Sequence, residues 1–87
     1  MDRMVFQMVK ALVLVRVGSG EATNFMKTIK QEIAGIQGVK KVYGIFGRYD
    51  FAVMVEAKTN EDMGNLITDC IRGIKGVLHT ETLVIRQ

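Results

Sequence analysis

Four consecutive residues, Gly47, Arg48, Tyr49 and Asp50, bring together more functional groups than any other short stretch of the chain. The glycine permits a tight turn, and a guanidinium, a phenol and a carboxylate follow it. Because a guanidinium binds carboxylates and a carboxylate binds ammonium groups, this set is complementary to a small zwitterion. The same residues are also typical of a hairpin whose aspartate only accepts hydrogen bonds from nearby backbone N–H groups. Both interpretations stay open at the level of sequence.

Two threonines near the end of the chain, Thr80 and Thr82, could extend this site with hydroxyl groups. Strand alternation predicts that both lie on the sheet face that the helices leave uncovered. They are equally ordinary residues of a β-strand, since threonine is favoured there for its branched side chain.

The remaining reactive groups favour no catalytic or metal site. Cys70 falls on the apolar stripe of a predicted helix, which indicates a buried thiol. His79 is the only imidazole, and no metal-ligand spacing surrounds it. Acidic residues such as Asp62 and Asp69 occupy helix-start or solvent-facing positions. The sequence therefore predicts a protein that is not an enzyme and needs no cofactor or metal.

An internal repeat indicates how these residues are positioned. Ile36-Gln37-Gly38-Val39 returns 38 residues later as Ile74-Lys75-Gly76-Val77. Two copies are too few for a solenoid, so we expect both copies to pack around one core. Each copy reads as strand, helix, strand. The predicted strands cover residues 9–17, 39–46, 51–57 and 77–86, and the predicted helices cover residues 21–34 and 59–74.

This βαββαβ order predicts an α+β fold, the ferredoxin-like plait. Right-handed crossovers give a four-stranded antiparallel sheet, in spatial order 4-1-3-2, with both helices on one face. The second helix should begin at Thr59, which starts a capping-box pattern ending at Asp62.

The uncovered face of the sheet is expected to be apolar. Alternation places Val13, Val15, Val53 and Val55 under the helices and leaves Leu12, Leu14, Ala52 and Met54 on the reverse face. Val42, Phe46, Leu78 and Val84 are expected to extend that patch. A monomer rarely exposes such a surface, so the pattern predicts a homodimer formed sheet to sheet. The opposite parity would invert this assignment.

Composition sets the outer limits. With 87 residues, 48% of them hydrophobic and 24% charged, the chain should fold as a single domain, which we place at residues 8–87 after an extension of residues 1–7. One cysteine allows no internal disulfide, and neither a signal peptide nor a ~20-residue apolar run is visible, so we expect a cytoplasmic protein without membrane contact. The net charge of +3 is spread along the chain and does not indicate a nucleic-acid surface.

Several of these segments together resemble the effector-binding domain of the Lrp/AsnC family of regulators over about residues 8–86. The segments are Lys10-Ala-Leu-Val-Leu-Val-Arg-Val17, Ile36-x-Gly-Val39, Val42-Tyr43, Gly47-Arg-Tyr-Asp50, Val55-Glu-Ala57, Gly76-Val77 and Thr80-Glu-Thr82. The resemblance implies pairing through the sheets, association into rings of dimers, and binding of a small effector, commonly an amino acid, near the hairpin. By position, Gly47 to Asp50 would frame that ligand, with Thr80 and Thr82 as neighbours.

The resemblance also implies an indirect part in transcriptional regulation. The helix-turn-helix domain usual in this family is not expected here, since only residues 1–7 precede the predicted domain. We therefore expect no direct DNA binding, and either effector sensing or co-assembly with full-length regulators. Two alternatives stay open. An ACT-like amino-acid-binding subunit would place its ligand at residues 18–21, and a small dimeric enzyme could share the same plait.

Overall fold

The computed structural model describes residues 8–18 and 24–86. The elements follow the predicted order: β1 (Val9–Val17), α1 (Phe25–Ala34), β2 (Val39–Gly44), β3 (Phe51–Ala57), α2 (Asn60–Asn65), a π-helical segment (Leu66–Ile71) and β4 (Val77–Val84). All strand pairs are antiparallel in the order β2-β3-β1-β4, which is the predicted order read from the other edge. The ferredoxin-like α+β fold is confirmed. The expected extension, residues 1–7, lies outside the described residues.

One face of the sheet carries the core. Every second residue of β1 and β3 is buried, and these side chains pack with Ile29 and Ile33 of α1 and with Ile71 of the π-helical segment. Both helical layers therefore cover the same face, as predicted. No helix in the described part of the chain is long and apolar enough to cross a membrane.

The internal repeat is visible in backbone geometry. Gly38 and Gly76 end the two helical connections with φ values of 101° and 105°, a conformation that favours glycine. The carbonyl of Gly38 accepts a hydrogen bond from the N–H of Glu56 at 2.8 Å, and that of Gly76 accepts one from Gly18 at 2.9 Å. The two halves thus join the neighbouring strand in the same way.

Each edge strand contains a β-bulge at the equivalent position of the repeat. Val39 and Lys41 pair with the adjacent residues Val55 and Met54, which leaves Lys40 as an extra residue in β2. Leu78 is the corresponding extra residue of β4, between the partners of Arg16 and Val17. An inserted residue reverses the alternation of all side chains that follow it.

The bulges correct four assignments made from simple alternation. Val42, Thr80, Thr82 and Val84 were expected on the reverse face, and they lie opposite core residues of β3 or β1 instead. Val42 packs against the core, and Thr80 and Thr82 are half-buried on the helix side. The expectation that the two threonines lie on the uncovered face of the sheet is therefore wrong.

The second helix changes its winding halfway. Thr59 caps its start as predicted, its Oγ1 accepting a hydrogen bond from the N–H of Asp62 at 3.0 Å. From Leu66 onward the helix is π-helical, and the Arg72 N–H bonds to the Ile67 carbonyl at 2.8 Å, five residues back. The wider turn rotates Cys70 out of the apolar stripe. Cys70 is exposed, so its predicted burial is wrong.

The reverse face carries a block of four apolar side chains at its centre. Leu12 pairs with Met54 and Leu14 pairs with Ala52 across β1 and β3, and all four are half-buried. Leu83 lies beside this block on β4. Phe46, which was also expected on this face, lies beyond the end of β2, in the β2–β3 hairpin.

Candidate functional site

The β2–β3 hairpin lies at one end of the sheet, beside the end of β1. The N–H of Ile45 donates a hydrogen bond to the carbonyl of Asp50 at 2.9 Å, which extends the pairing past Gly44. Gly47 turns the chain with φ of 122°, in the region where a β-carbon would be strained. The turn holds Arg48 and Tyr49 next to the end of β1.

Asp50 fixes the hairpin to β1. Its backbone N–H donates to the carbonyl of Val15 at 2.8 Å, and its carboxylate Oδ2 accepts from the N–H of Val17 at 2.8 Å in a partly buried contact. One oxygen of the Asp50 carboxylate thus accepts a hydrogen bond from a backbone N–H group, as expected if Asp50 has a structural role in the hairpin. A charge-assisted hydrogen bond of this kind is strong, so it holds the hairpin that carries Arg48 and Tyr49 firmly against the end of β1.

Tyr49 reaches from the hairpin to β4. Its hydroxyl donates a hydrogen bond to Glu81 Oε1 at 2.6 Å, and its ring stacks on His79 with centroids 6.3 Å apart and planes inclined by 22°. The bond to Glu81 raises the pKa of Tyr49 above its ordinary value of 10.0, because it stabilises the protonated phenol; desolvation and the charge of Glu81 act in the same direction. Tyr49 is therefore a neutral donor that orients the Glu81 carboxylate.

Two guanidinium groups act on the same phenol. The charges of Arg48 and Arg16 both lower the pKa of Tyr49, though by less than Glu81 raises it. Arg16 lies directly opposite His79 in the pairing of β1 with β4. One end of the reverse face therefore presents an oriented carboxylate together with two cationic groups.

The structure brings the four predicted hairpin residues together and separates them from the two threonines. Gly47, Arg48, Tyr49 and Asp50 form the hairpin end, whereas the threonines share a face with the core. Glu81 and His79 lie in the same strand as the threonines, and sequence reasoning did not place them beside Tyr49. Their position could be predicted only by knowing of the bulge at Leu78, because this bulge turns the odd-numbered residues of β4 onto the reverse face.

A second concave region lies on the helix side, at the opposite end of the sheet. This groove of about 530 Å³ is bounded by the end of β3, the loop before β2 and the second helix. Its lining includes Ile36, Ala57, Leu66, Asp62, Asp69 and Cys70. In residues 8–18 and 24–86, no group of three or more His, Cys, Asp or Glu side chains could hold a metal ion.

Comparison with known proteins identifies the family. The family model described as Lrp/AsnC ligand binding domain matches residues 10–87, nearly the whole chain. The chain belongs to the Lrp/AsnC ligand-binding domain family. In this family member the hairpin end combines Tyr49, Glu81 and the two guanidinium groups described above.

Individual relatives of this Lrp/AsnC domain fall into more than one class. It is 34% identical over 74 residues to an uncharacterised HTH-type transcriptional regulator of Pyrococcus furiosus, a match that covers 85% of this chain and 49% of the regulator. It is 38% identical over 77 residues to the homocitrate synthase of Sulfolobus acidocaldarius, covering 88% of this chain and 16% of the synthase. The chain spans about half the length of the regulators it matches.

A solved structure of similar size supports the fold. A crystal structure of a Thermus thermophilus protein is 31% identical, with a TM-score of 0.80, and the alignment covers 92% of this chain and 95% of that one. The likeness therefore extends over most of both chains.

Proposed function

We propose that this Lrp/AsnC domain is an effector-sensing and oligomerisation module that takes part indirectly in transcriptional regulation. Its effector is a free amino acid, bound at the hairpin end of the reverse face. The observation that carries this proposal is the Tyr49–Glu81 hydrogen bond of 2.6 Å, which orients a carboxylate beside two guanidinium groups.

The chemistry of this end is complementary to an amino-acid backbone. The Glu81 carboxylate can accept hydrogen bonds from an α-ammonium group, and Arg48 or Arg16 can bind an α-carboxylate with paired N–H donors. Gly47 allows close approach of a ligand to the backbone, because no atom lies within 4 Å of the position that a β-carbon would take there. Asp50 supports the site from behind through its bond to Val17.

The range of relatives supports sensing as the shared property. HTH-type transcriptional regulators and a homocitrate synthase are different classes of protein, yet each contains a region similar to this domain. A domain that serves both contexts is best explained by ligand-controlled regulation rather than by DNA reading or catalysis. The synthase match favours one alternative, in which the domain regulates an enzyme by binding an amino acid, as an ACT-like subunit would.

Assembly is the second part of the proposal. The apolar block of Leu12, Leu14, Ala52 and Met54 lies together on one face, where it can pack against the same block of a second copy about a two-fold axis. Burying a patch of several hundred Å² at ~25 cal/mol per Å² contributes on the order of 10 kcal/mol before the cost of association. Sheet-to-sheet dimers could then associate further into rings, or with full-length Lrp/AsnC regulators that share the domain.

The ligand proposal is tested by isothermal calorimetry with each of the twenty standard amino acids. We expect heat for at least one amino acid, and about tenfold weaker binding or more in Glu81→Gln, which keeps the shape of the side chain but removes its charge. Glu61→Gln, an exposed residue of α2, is the matched control and should bind as the unaltered chain does. If no amino acid gives heat, or if Glu81→Gln binds unchanged, the proposal is wrong.

A further inference from the structure

Phe46 is the most exposed large apolar side chain in the described part of the protein. Its relative exposure is 104%, so its side chain is as accessible as in an isolated residue. An aromatic side chain of this kind is a typical anchor of a protein interface, because it carries a large apolar area at low entropic cost. Nothing in the packing of the hairpin accounts for a phenylalanine at this position.

The groove on the helix side has the dimensions and lining to receive such an anchor. Its volume of about 530 Å³ is within the range of ~300–1,000 Å³ typical of sites that enclose a small group. Ile36, Ala57 and Leu66 contribute apolar surface. Asp62 and Asp69 add two carboxylates to the lining and Lys58 adds one ammonium group, so its net charge is negative. The π-helical segment brings Cys70 into the same lining.

The charges near the two features are opposite in sign. Arg48 is two residues from Phe46 and exposed, whereas Asp50 faces inward to the N–H of Val17. The end of the hairpin therefore presents positive charge beside its aromatic side chain, and the groove presents Asp62 and Asp69 against the single cation Lys58. The several N–H donors of a guanidinium allow it to serve this contact and a ligand carboxylate together.

The hairpin and the groove lie at opposite ends of the sheet. β2 and β1 run from the groove end toward the hairpin end, and β3 runs back, so Phe46 and Ala57 are separated by the length of a strand. One molecule cannot bring them together without unfolding. A contact between them must join two copies head to tail.

We propose that the hairpin of one copy docks into the helix-side groove of a second copy, with Phe46 as its anchor and Arg48 facing Asp62 and Asp69. This surface is distinct from the reverse-face apolar block, and it does not depend on the identity of the effector. Because the contact joins unlike surfaces, it links sheet-to-sheet dimers into rings or open chains.

The native thiol of Cys70 reports on this contact directly. It is exposed in the single chain and is the only cysteine present, so a thiol reagent such as DTNB labels one site. We expect labelling to slow about tenfold between low-micromolar and high-micromolar protein, as the groove fills. Phe46→Ala should label at the fast rate throughout and should lose every species larger than the dimer in light scattering.

Four further variants separate this contact from other causes of protection. Met26→Ala removes an exposed apolar side chain from α1 and should keep the concentration dependence. Arg48→Glu and Asp62→Arg should each abolish protection, and the double variant should restore it. Labelling of the unaltered chain that is independent of concentration, or protection that persists in Phe46→Ala, would overturn the proposal. Neither result bears on amino-acid binding, which calorimetry measures separately.

Discussion

The pKa of the Tyr49 phenol reports whether its hydrogen bond to Glu81 is formed. The phenol donates to the carboxylate only while it is protonated, and the phenolate would be repelled by Glu81. We therefore expect Tyr49 to titrate above its ordinary pKa of 10.0, and the midpoint to fall in Glu81→Ala. Tyrosinate absorbance in a Tyr43→Phe background observes this group alone, since the chain has only these two tyrosines.

The direction of the stability effect follows from the raised pKa. The folded chain holds the Tyr49 proton more tightly than the unfolded chain, so the contribution is fully present below pH 10 and is lost as pH rises through the folded pKa. An identical midpoint in the parent chain and Glu81→Ala would show that the contact does not persist in solution. Lys41→Ala, which removes a charge beside Tyr43 instead, should leave the Tyr49 midpoint unchanged.

Residue types alone single out Gly47 to Asp50 as a candidate site, because their functional groups are consecutive in sequence. Glu81 could not be identified in this way. It lies 32 residues from Tyr49, and its role comes only from the pairing of β1 with β4 and the reach of a tyrosine across the sheet. The assignment of Asp50 as a ligand group was also incomplete, since one oxygen is bound to a backbone N–H.

At the level of the elements, the periodicity of apolar residues predicts which face each side chain occupies, except after the two bulges and in the π-helical segment. The boundaries of β1 and β3 follow from alternation and match the structure. Lys40 and Leu78 are single inserted residues, whereas the π-helical segment Leu66–Ile71 changes the winding of a helix over six residues. Each change rotates the residues that follow it. No composition signal distinguishes such an insertion, which is why the threonines and the thiol were misplaced together.

The glycine that ends the first helical connection offers a test of these elements. A β-carbon at Gly38 would lie 2.5 Å from Leu66 Cδ1 and 3.0 Å from the carbonyl oxygen of Glu56, at a positive φ. We expect Gly38→Ala to lower the free energy of unfolding by about 1–3 kcal/mol. Urea denaturation at fixed protein concentration measures this change.

Gly64 provides the matched control for that substitution. It lies within α2, and a β-carbon there would meet no atom within 4 Å. Gly64→Ala should raise the free energy of unfolding by roughly 0.5–1 kcal/mol, because alanine has the higher helix propensity. Equal effects of the two substitutions would show that the conformation of Gly38 is not required by the fold.

For the molecule as a whole, the repeat of 38 residues was the decisive sequence signal. It predicted two equivalent units, and the equivalent hydrogen bonds at Gly38 and Gly76 show that these units join the sheet in the same manner. Assembly is less accessible to sequence, because the reverse face contains charged residues around its apolar centre. Lys10 and Glu56 pair across β1 and β3 next to Leu12 and Met54. In the proposed dimer, such a pair is expected to fix the register of the two copies rather than to prevent their contact.

The sheet-to-sheet dimer is most directly tested by a charge at its centre. Leu12 is half-buried in the single chain and lies between Met54 and Leu83. In a monomer, Leu12→Lys can extend its ammonium group into water, so the fold should persist. In the dimer that charge would be buried against a copy of itself, which we expect to cost about 3 kcal/mol or more, roughly a hundredfold in the dissociation constant. Light scattering over a concentration series measures this shift.

Met26→Lys, on α1, introduces the same charge away from the sheet and should remain dimeric. A parent chain that is monomeric at every concentration, or a Leu12→Lys variant that dimerises as the parent does, would exclude the reverse face as the pairing surface.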